Sequence, residues 1–131
     1  MTATEAATGA RRLRVLLAED ELLVAMEIEA TLQDLGCDVV GPLATVAEVE
    51  RAAGSADLDI AVLDVNLRGE QVFRALPGLL ERGVPVLLSS GYDETTLFPD
   101  EFRHLPVLVK PYEGSQLAAR LKELLDSRDP T

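Results

Sequence analysis

Glu19, Asp20, Asp64, Ser90 and Lys110 each stand where an apolar run stops. Leu13 to Ala18 leads into Glu19-Asp20, Ile60 to Leu63 into Asp64, Pro85 to Ser89 into Ser90-Gly91, and Pro106 to Lys110 into Pro111. Three carboxylates brought together repel one another unless a cation lies among them. A hard divalent ion, Mg²⁺ or Mn²⁺, suits such a set, because one or two carboxylates, a carbonyl and water complete its oxygen shell. A cation, a lysine and a hydroxyl are together what the oxygens of a phosphoryl group require, and a carboxylate beside them is a competent nucleophile. Asp64 then reads as a phosphate acceptor. Asn66, two residues on, can offer its backbone carbonyl to the metal, and Gly69 lets the chain turn into the next helix.

These groups meet only if the fold brings the run ends to one edge. The runs, with a further one at Asp38 to Gly41, are short and rich in Val and Leu, which suits strands covered on both faces. Between them lie helical spacings. Ala25, Ile28, Leu32 and Leu35 form one stripe ended by Gly36, and Thr45 with Glu48 reads as a capping box opening a stripe of Val46, Val49 and Ala52. Val72, Leu76, Leu79 and Leu80 give a third helix, and Leu117, Leu121, Leu124 and Leu125 the last. The interval from Gly91 to Leu105 reads as a long loop with one or two helical turns, and as the part best suited to move. The expectation is an α/β fold: a (βα)5 doubly wound, flavodoxin-like parallel sheet of order 2-1-3-4-5, with a short or irregular fourth helix. In that order the C-terminal strand ends share the ligand-binding edge, and only the second, at Gly41-Pro42, lacks polar chemistry.

The whole chain agrees with a small acidic domain. At 131 residues it is one unit, expected as a loose tail over 1–12, a domain over 13–126 and a second tail over 127–131. Hydrophobic residues are 47% of the chain and aromatics 4%, so the core is expected to be aliphatic. Acidic residues outnumber basic ones 23 to 12, a net charge of -11 that disfavours nucleic acid and anionic membrane surfaces. No signal-peptide or membrane-span pattern is visible, and the one cysteine, Cys37, fits a reducing cytoplasm as a small core residue. His104 reads as a loop residue and Arg68 as a solvated one.

The acidic pair Glu19-Asp20, the acceptor Asp64, the hydroxyl Ser90 and Lys110-Pro111, in this order on these elements, resemble the response-regulator receiver domain of two-component signalling. The resemblance covers Leu13 to about Leu125. It implies that Asp20, Asp64 and the carbonyl of Asn66 bind Mg²⁺ with Glu19 slightly further out, that Lys110 pairs with the phosphoryl group, and that the Lys110-Pro111 bond is cis. It also implies a phosphoryl donor, a histidine kinase or histidine phosphotransfer protein, and a downstream protein partner. Such a domain is a signalling switch that catalyses only its own phosphorylation and dephosphorylation. The stretch Leu88-Ser89-Ser90-Gly91-Tyr92 loosely resembles the Phe-Ala-Thr-Gly-Gly/Tyr motif of a bacterial stand-alone subgroup. Asn66 and Tyr92 stand at positions that influence phosphoryl lifetime in the family.

Glu-Asp replaces the commoner Asp-Asp, Ser90 replaces threonine, and Val107 stands where many receivers place a switching aromatic. Val107 keeps open a receiver-fold binding module that is never phosphorylated. A haloacid-dehalogenase-like phosphatase would want a second aspartate where Asn66 stands, and a flavodoxin-like cofactor site would not tolerate Glu19-Asp20-Glu21 beside a phosphate.

Overall fold

The computed structural model describes residues 12–55, 57–91 and 98–128. Tyr92 and most of both expected tails lie outside them. In chain order the elements are β1 (Arg14–Ala18), α1 (Leu22–Asp34), β2 (Asp38–Leu43), α2 (Val46–Ser55), β3 (Ile60–Asp64), α3 (Leu76–Glu81), β4 (Val86–Ser90), β5 (Val107–Val109) and α4 (Gly114–Arg128). A short antiparallel ribbon, Asn66–Leu67 with Glu70–Gln71, follows β3. The five parallel strands lie in the order β2-β1-β3-β4-β5, as the alternating pattern implied.

Strand parity divides the core. Leu16, Ala18, Ala61, Leu63, Val86 and Leu88 face α2 and α3, meeting Val46, Val49, Ala53, Leu76 and Leu79. Val15, Leu17, Ile60, Val62, Leu87 and Leu108 face α1 and α4, meeting Ile28, Leu32, Leu117 and Leu121. Both faces of β3 and β4 are covered, so every residue in them is buried, whereas the edge strand β2 is half-buried. Each fully buried Leu or Val contributes about 1.5–3 kcal/mol over leaving it exposed.

The helix ends follow local chemistry. Gly36, with φ +86°, ends α1; its N–H bonds the Gln33 carbonyl and the Cys37 N–H the Leu32 carbonyl, the paired closure of a Schellman motif. Leu35 is therefore the cap, 48% exposed, not a core member of the stripe. The Thr45 hydroxyl accepts the Glu48 N–H at 3.2 Å, and Glu48 Oε1 accepts the Thr45 N–H at 3.1 Å, completing the capping box of α2. Ala53, rather than Ala52, fills the buried row of that helix. The expected third helix divides: Val72–Ala75 winds as a 3₁₀ turn and the α-helix begins at Leu76. Pro77 supplies no N–H for the Phe73 carbonyl, so α-helical bonding cannot run through this point.

Two features lie outside an aliphatic, regular reading. Phe73 meets Phe98 edge-on at 5.1 Å and stacks with Phe102 at 5.7 Å, so the three phenylalanines form one aromatic cluster in the core. The described part of the Gly91–Leu105 interval contains a 3₁₀ turn, Asp100–Phe102, anchored there. At β2 the pairing register with β1 shifts beside Gly41, whose φ is +115°. A Cβ at Gly41 would lie 2.5 Å from the Leu17 carbonyl oxygen, so only glycine fits the close approach. The Lys110-Pro111 bond is cis, as is Gly41-Pro42. Arg12 is tied to Asp38 at 2.6 Å, and α4 continues through Arg128.

Candidate functional site

The C-terminal ends of β1, β3 and β5 bring Glu19, Asp20, Asp64 and Lys110 together. One carboxylate oxygen from each of the three acids lies within 4.8 Å of the others. Lys110 Nζ donates to Asp64 Oδ2 at 2.8 Å and forms an ion pair with Glu19 Oε1 at 3.2 Å. The remaining Asp64 oxygen, Oδ1, accepts the Asn66 N–H at 3.2 Å, and Glu19 Oε2 accepts the Glu21 N–H at 3.0 Å. Asp20 Oδ2 accepts the Arg68 N–H at 2.8 Å. Asp20 thus reaches across to the ribbon after β3 while Glu19 and Asp64 share the lysine.

Glu19 is set deeper than its neighbour: its side chain is 1% exposed, and the residue is more buried than Asp20. The cause is alternation. Glu19 continues the Val15-Leu17 face of β1, which is also the face of Asp64 and Lys110, and so turns inward to the lysine. Burial pushes the Glu19 carboxyl up to about 7, against the Glu21 N–H, and the neighbouring Asp64 charge adds to the rise. Burial disfavours the Lys110 charge, but the hydrogen bond and charge of Asp64, then Glu19, outweigh it and raise the lysine pKa.

The ribbon is shaped by its turn. Arg68 and Gly69, with φ of +51° and +83°, are the two central residues between the paired strands, the combination a type I′ hairpin requires. Asn66 Oδ1 accepts the Gly69 N–H at 3.0 Å, so the Asn66 side chain holds the turn while its N–H holds Asp64. The Arg68 side chain is exposed, as is His104.

Ser90, fully buried, closes β4 one residue beyond Ser89, the register partner of Asp64. Its hydroxyl donates to the Gly91 carbonyl at 3.2 Å, and its own carbonyl accepts the Lys110 N–H at 2.8 Å. Val107 is partly buried against the core beside α2 and α3. Two neighbours of the cluster escaped the sequence reading: Ser89, on the Asp64 side of the sheet, and Tyr112, just past Lys110. Counting alternate residues from Leu87 through Ser89 would have placed the first; the second needs the tertiary fold. Cys37 is a free, buried thiol whose pKa burial raises.

Carboxylate oxygens gathered this closely form a donor set suited to a hard divalent cation. Glu19 Oε1 is buried and, among the described residues, has the Lys110 ion pair but no well-aligned hydrogen bond.

No family model matches the chain. Relatives do. The chain shares 35% identity with SdrG from Sphingomonas melonis Fr1, whose solution structure superposes with a TM-score of 0.76, covering 87% of this chain and 97% of that one. The response-regulator REC domain of Erythrobacter litoralis PhyR superposes at 0.79 with 27% identity, covering 92% of this chain and 95% of that one. The response regulator protein PmrA of Pseudomonas aeruginosa is 32% identical over 119 residues, 86% of this chain and 52% of that protein. The chain belongs to the response-regulator receiver domains. Receiver domains are switches of two-component signalling rather than enzymes with a diffusible substrate. This receiver spans 43% to 57% of the length of curated relatives it matches. No helix among its described residues is long and apolar enough to cross a membrane.

Proposed function

We propose that Asp64 accepts a phosphoryl group, in a Mg²⁺-dependent reaction, from a histidine kinase or histidine phosphotransfer protein, and that the change switches protein contacts. The observation that carries this reading is the buried Asp64 carboxylate held at both oxygens, by Lys110 Nζ at 2.8 Å and the Asn66 N–H at 3.2 Å, with two further acids beside it.

A carboxylate oxygen of Asp64 forms the new O–P bond as the P–N bond to the donor imidazole breaks, and the imidazole keeps that electron pair. Asp20, Asp64 and the Asn66 carbonyl would hold Mg²⁺, with Glu19 beside them; bound there, the ion neutralises charge on the transferring phosphoryl oxygens. Asn66 fixes the carboxylate's rotation through its N–H. Lys110 leaves Glu19 to pair with a phosphoryl oxygen, and the Ser90 hydroxyl turns from the Gly91 carbonyl to donate to another. Net negative charge and the acidic cluster favour a protein target over nucleic acid.

Incubation with acetyl phosphate and Mg²⁺, followed by borohydride reduction and peptide mapping, is expected to convert residue 64 to homoserine. Homoserine at another carboxylate, or none, would overturn the assignment. The second reading, a receiver fold that binds without being phosphorylated, rests on Val107 in place of a switching aromatic and requires the second of those outcomes.

A further inference from the structure

Among the described residues, the buried side-chain oxygens left without a hydrogen bond are Glu19 Oε1, Ser89 Oγ and the Tyr112 hydroxyl. Buried polar atoms are nearly always paired. All three gather on one side of the sheet beside Lys110. Ser89 lies in register with Asp64 on β3 and with Leu108 on β5, two residues before Lys110, so alternation puts its hydroxyl on the Asp64 and Lys110 face. Tyr112, between β5 and α4, packs against the core cluster of that same face, which includes Leu87, Leu108 and Leu117. Burial raises the Tyr112 pKa; the Ser89 hydroxyl and the Lys110 charge lower it, and Glu19 and Asp64 raise it. The phenol therefore neighbours the Ser89 hydroxyl and shares this side of the sheet with the charged cluster.

In the resting arrangement Lys110 balances Glu19 and Asp64 together. If phosphorylation draws the lysine to the phosphoryl oxygens, as the function proposed above requires, Glu19 Oε1 loses its ammonium partner in a buried place, while Mg²⁺ would be held by Asp20, Asp64 and the Asn66 carbonyl. Two O–H donors, those of Ser89 and Tyr112, lie on the same face of the sheet and neighbour each other. We infer that Ser89 and Tyr112 are positioning residues for the phosphorylated state: their hydroxyls take over the Glu19 oxygen that Lys110 leaves, Tyr112 donating to Ser89 and Ser89 donating to Glu19, directly or through one water. The pair thereby lowers the cost of moving Lys110 and favours the phosphorylated arrangement over the resting one. Ser89 stands where the motif compared above has alanine.

The test compares wild type with Tyr112→Phe, Ser89→Ala and the double variant, reading beryllofluoride affinity in Mg²⁺ by NMR, Mg²⁺ affinity without beryllofluoride, and thermal midpoint. Tyr112→Phe is expected to weaken beryllofluoride binding about fivefold, the scale of losing a hydrogen bond to a charged group, with a smaller change in Mg²⁺ affinity. Ser89→Ala should do the same, and the double variant no more than the larger single loss, because the two hydroxyls act in series. A purely structural role would lower the thermal midpoint and weaken both ligands in proportion. Equal beryllofluoride affinity in wild type and variants, proportional loss of both ligands, or additive losses would overturn the inference while leaving phosphorylation at Asp64 standing. A wild type that binds no beryllofluoride would overturn that reading and this one with it.

Discussion

Replacing Lys110 with methionine keeps most of the side-chain volume and removes the charge that Glu19 and Asp64 share. The two carboxylate side chains are 1% and 6% exposed, and the lysine is 25% exposed. Removing one partner of a buried ion pair costs about 3–5 kcal/mol because the other is left uncompensated. Water reaches the lysine, so the lower figure applies, and Lys110→Met should lose about 3 kcal/mol at pH 8 without metal. For a domain of this size that is a fall of about 10 °C in thermal midpoint. Two conditions should restore part of the loss. Mg²⁺ supplies a replacement cation, and acid lets Glu19, whose pKa is already about 7, take a proton. The assay is urea unfolding of wild type and variant at pH 8 and pH 5.5, with and without Mg²⁺. An equal loss under all conditions would refute the electrostatic reasoning and leave Lys110 a packing residue.

The raised Glu19 pKa gives metal-free protein a definite pH trend. Folded Glu19 titrates near 7 and its ordinary value is 4.5, so between these the folded state holds a proton the unfolded chain has lost. Stability is therefore expected to fall as pH rises through that window, by up to about 3 kcal/mol; denaturation curves of wild type against Glu19→Gln should show a slope that the variant flattens, and a variant with the wild-type slope contradicts it. Gly41→Ala should cost about 2 kcal/mol or more, from the positive φ and the 2.5 Å approach of its Cβ to the Leu17 carbonyl. An unchanged urea midpoint would show that β2 relaxes at no cost.

The parts of this molecule that depend on neighbours in sequence were legible in it. Apolar runs gave the strands, Thr45 and Glu48 gave a capping box that forms as written, and Gly36 marked the end of α1. The site was legible because its groups sit at strand ends, and a parallel sheet aligns those ends whatever the loops do. The inward turn of Glu19 needed strand alternation carried one residue past the end of β1. Pro77 falls inside the expected third helix, and the N–H it denies the Phe73 carbonyl was readable from the sequence alone. The Phe73, Phe98 and Phe102 cluster joins segments from two loops around the sheet, and the Ser89 and Tyr112 hydroxyls meet across two elements. Neither contact leaves a mark in local spacing.

The most direct test of the central claim is the intact mass of the protein after acetyl phosphate with Mg²⁺, beside an Asp64→Asn variant and a chelated control. A single phosphoryl adduct is expected on the wild type, absent from the variant and absent without Mg²⁺. An adduct that survives either change, or a wild type that takes none, would contradict it.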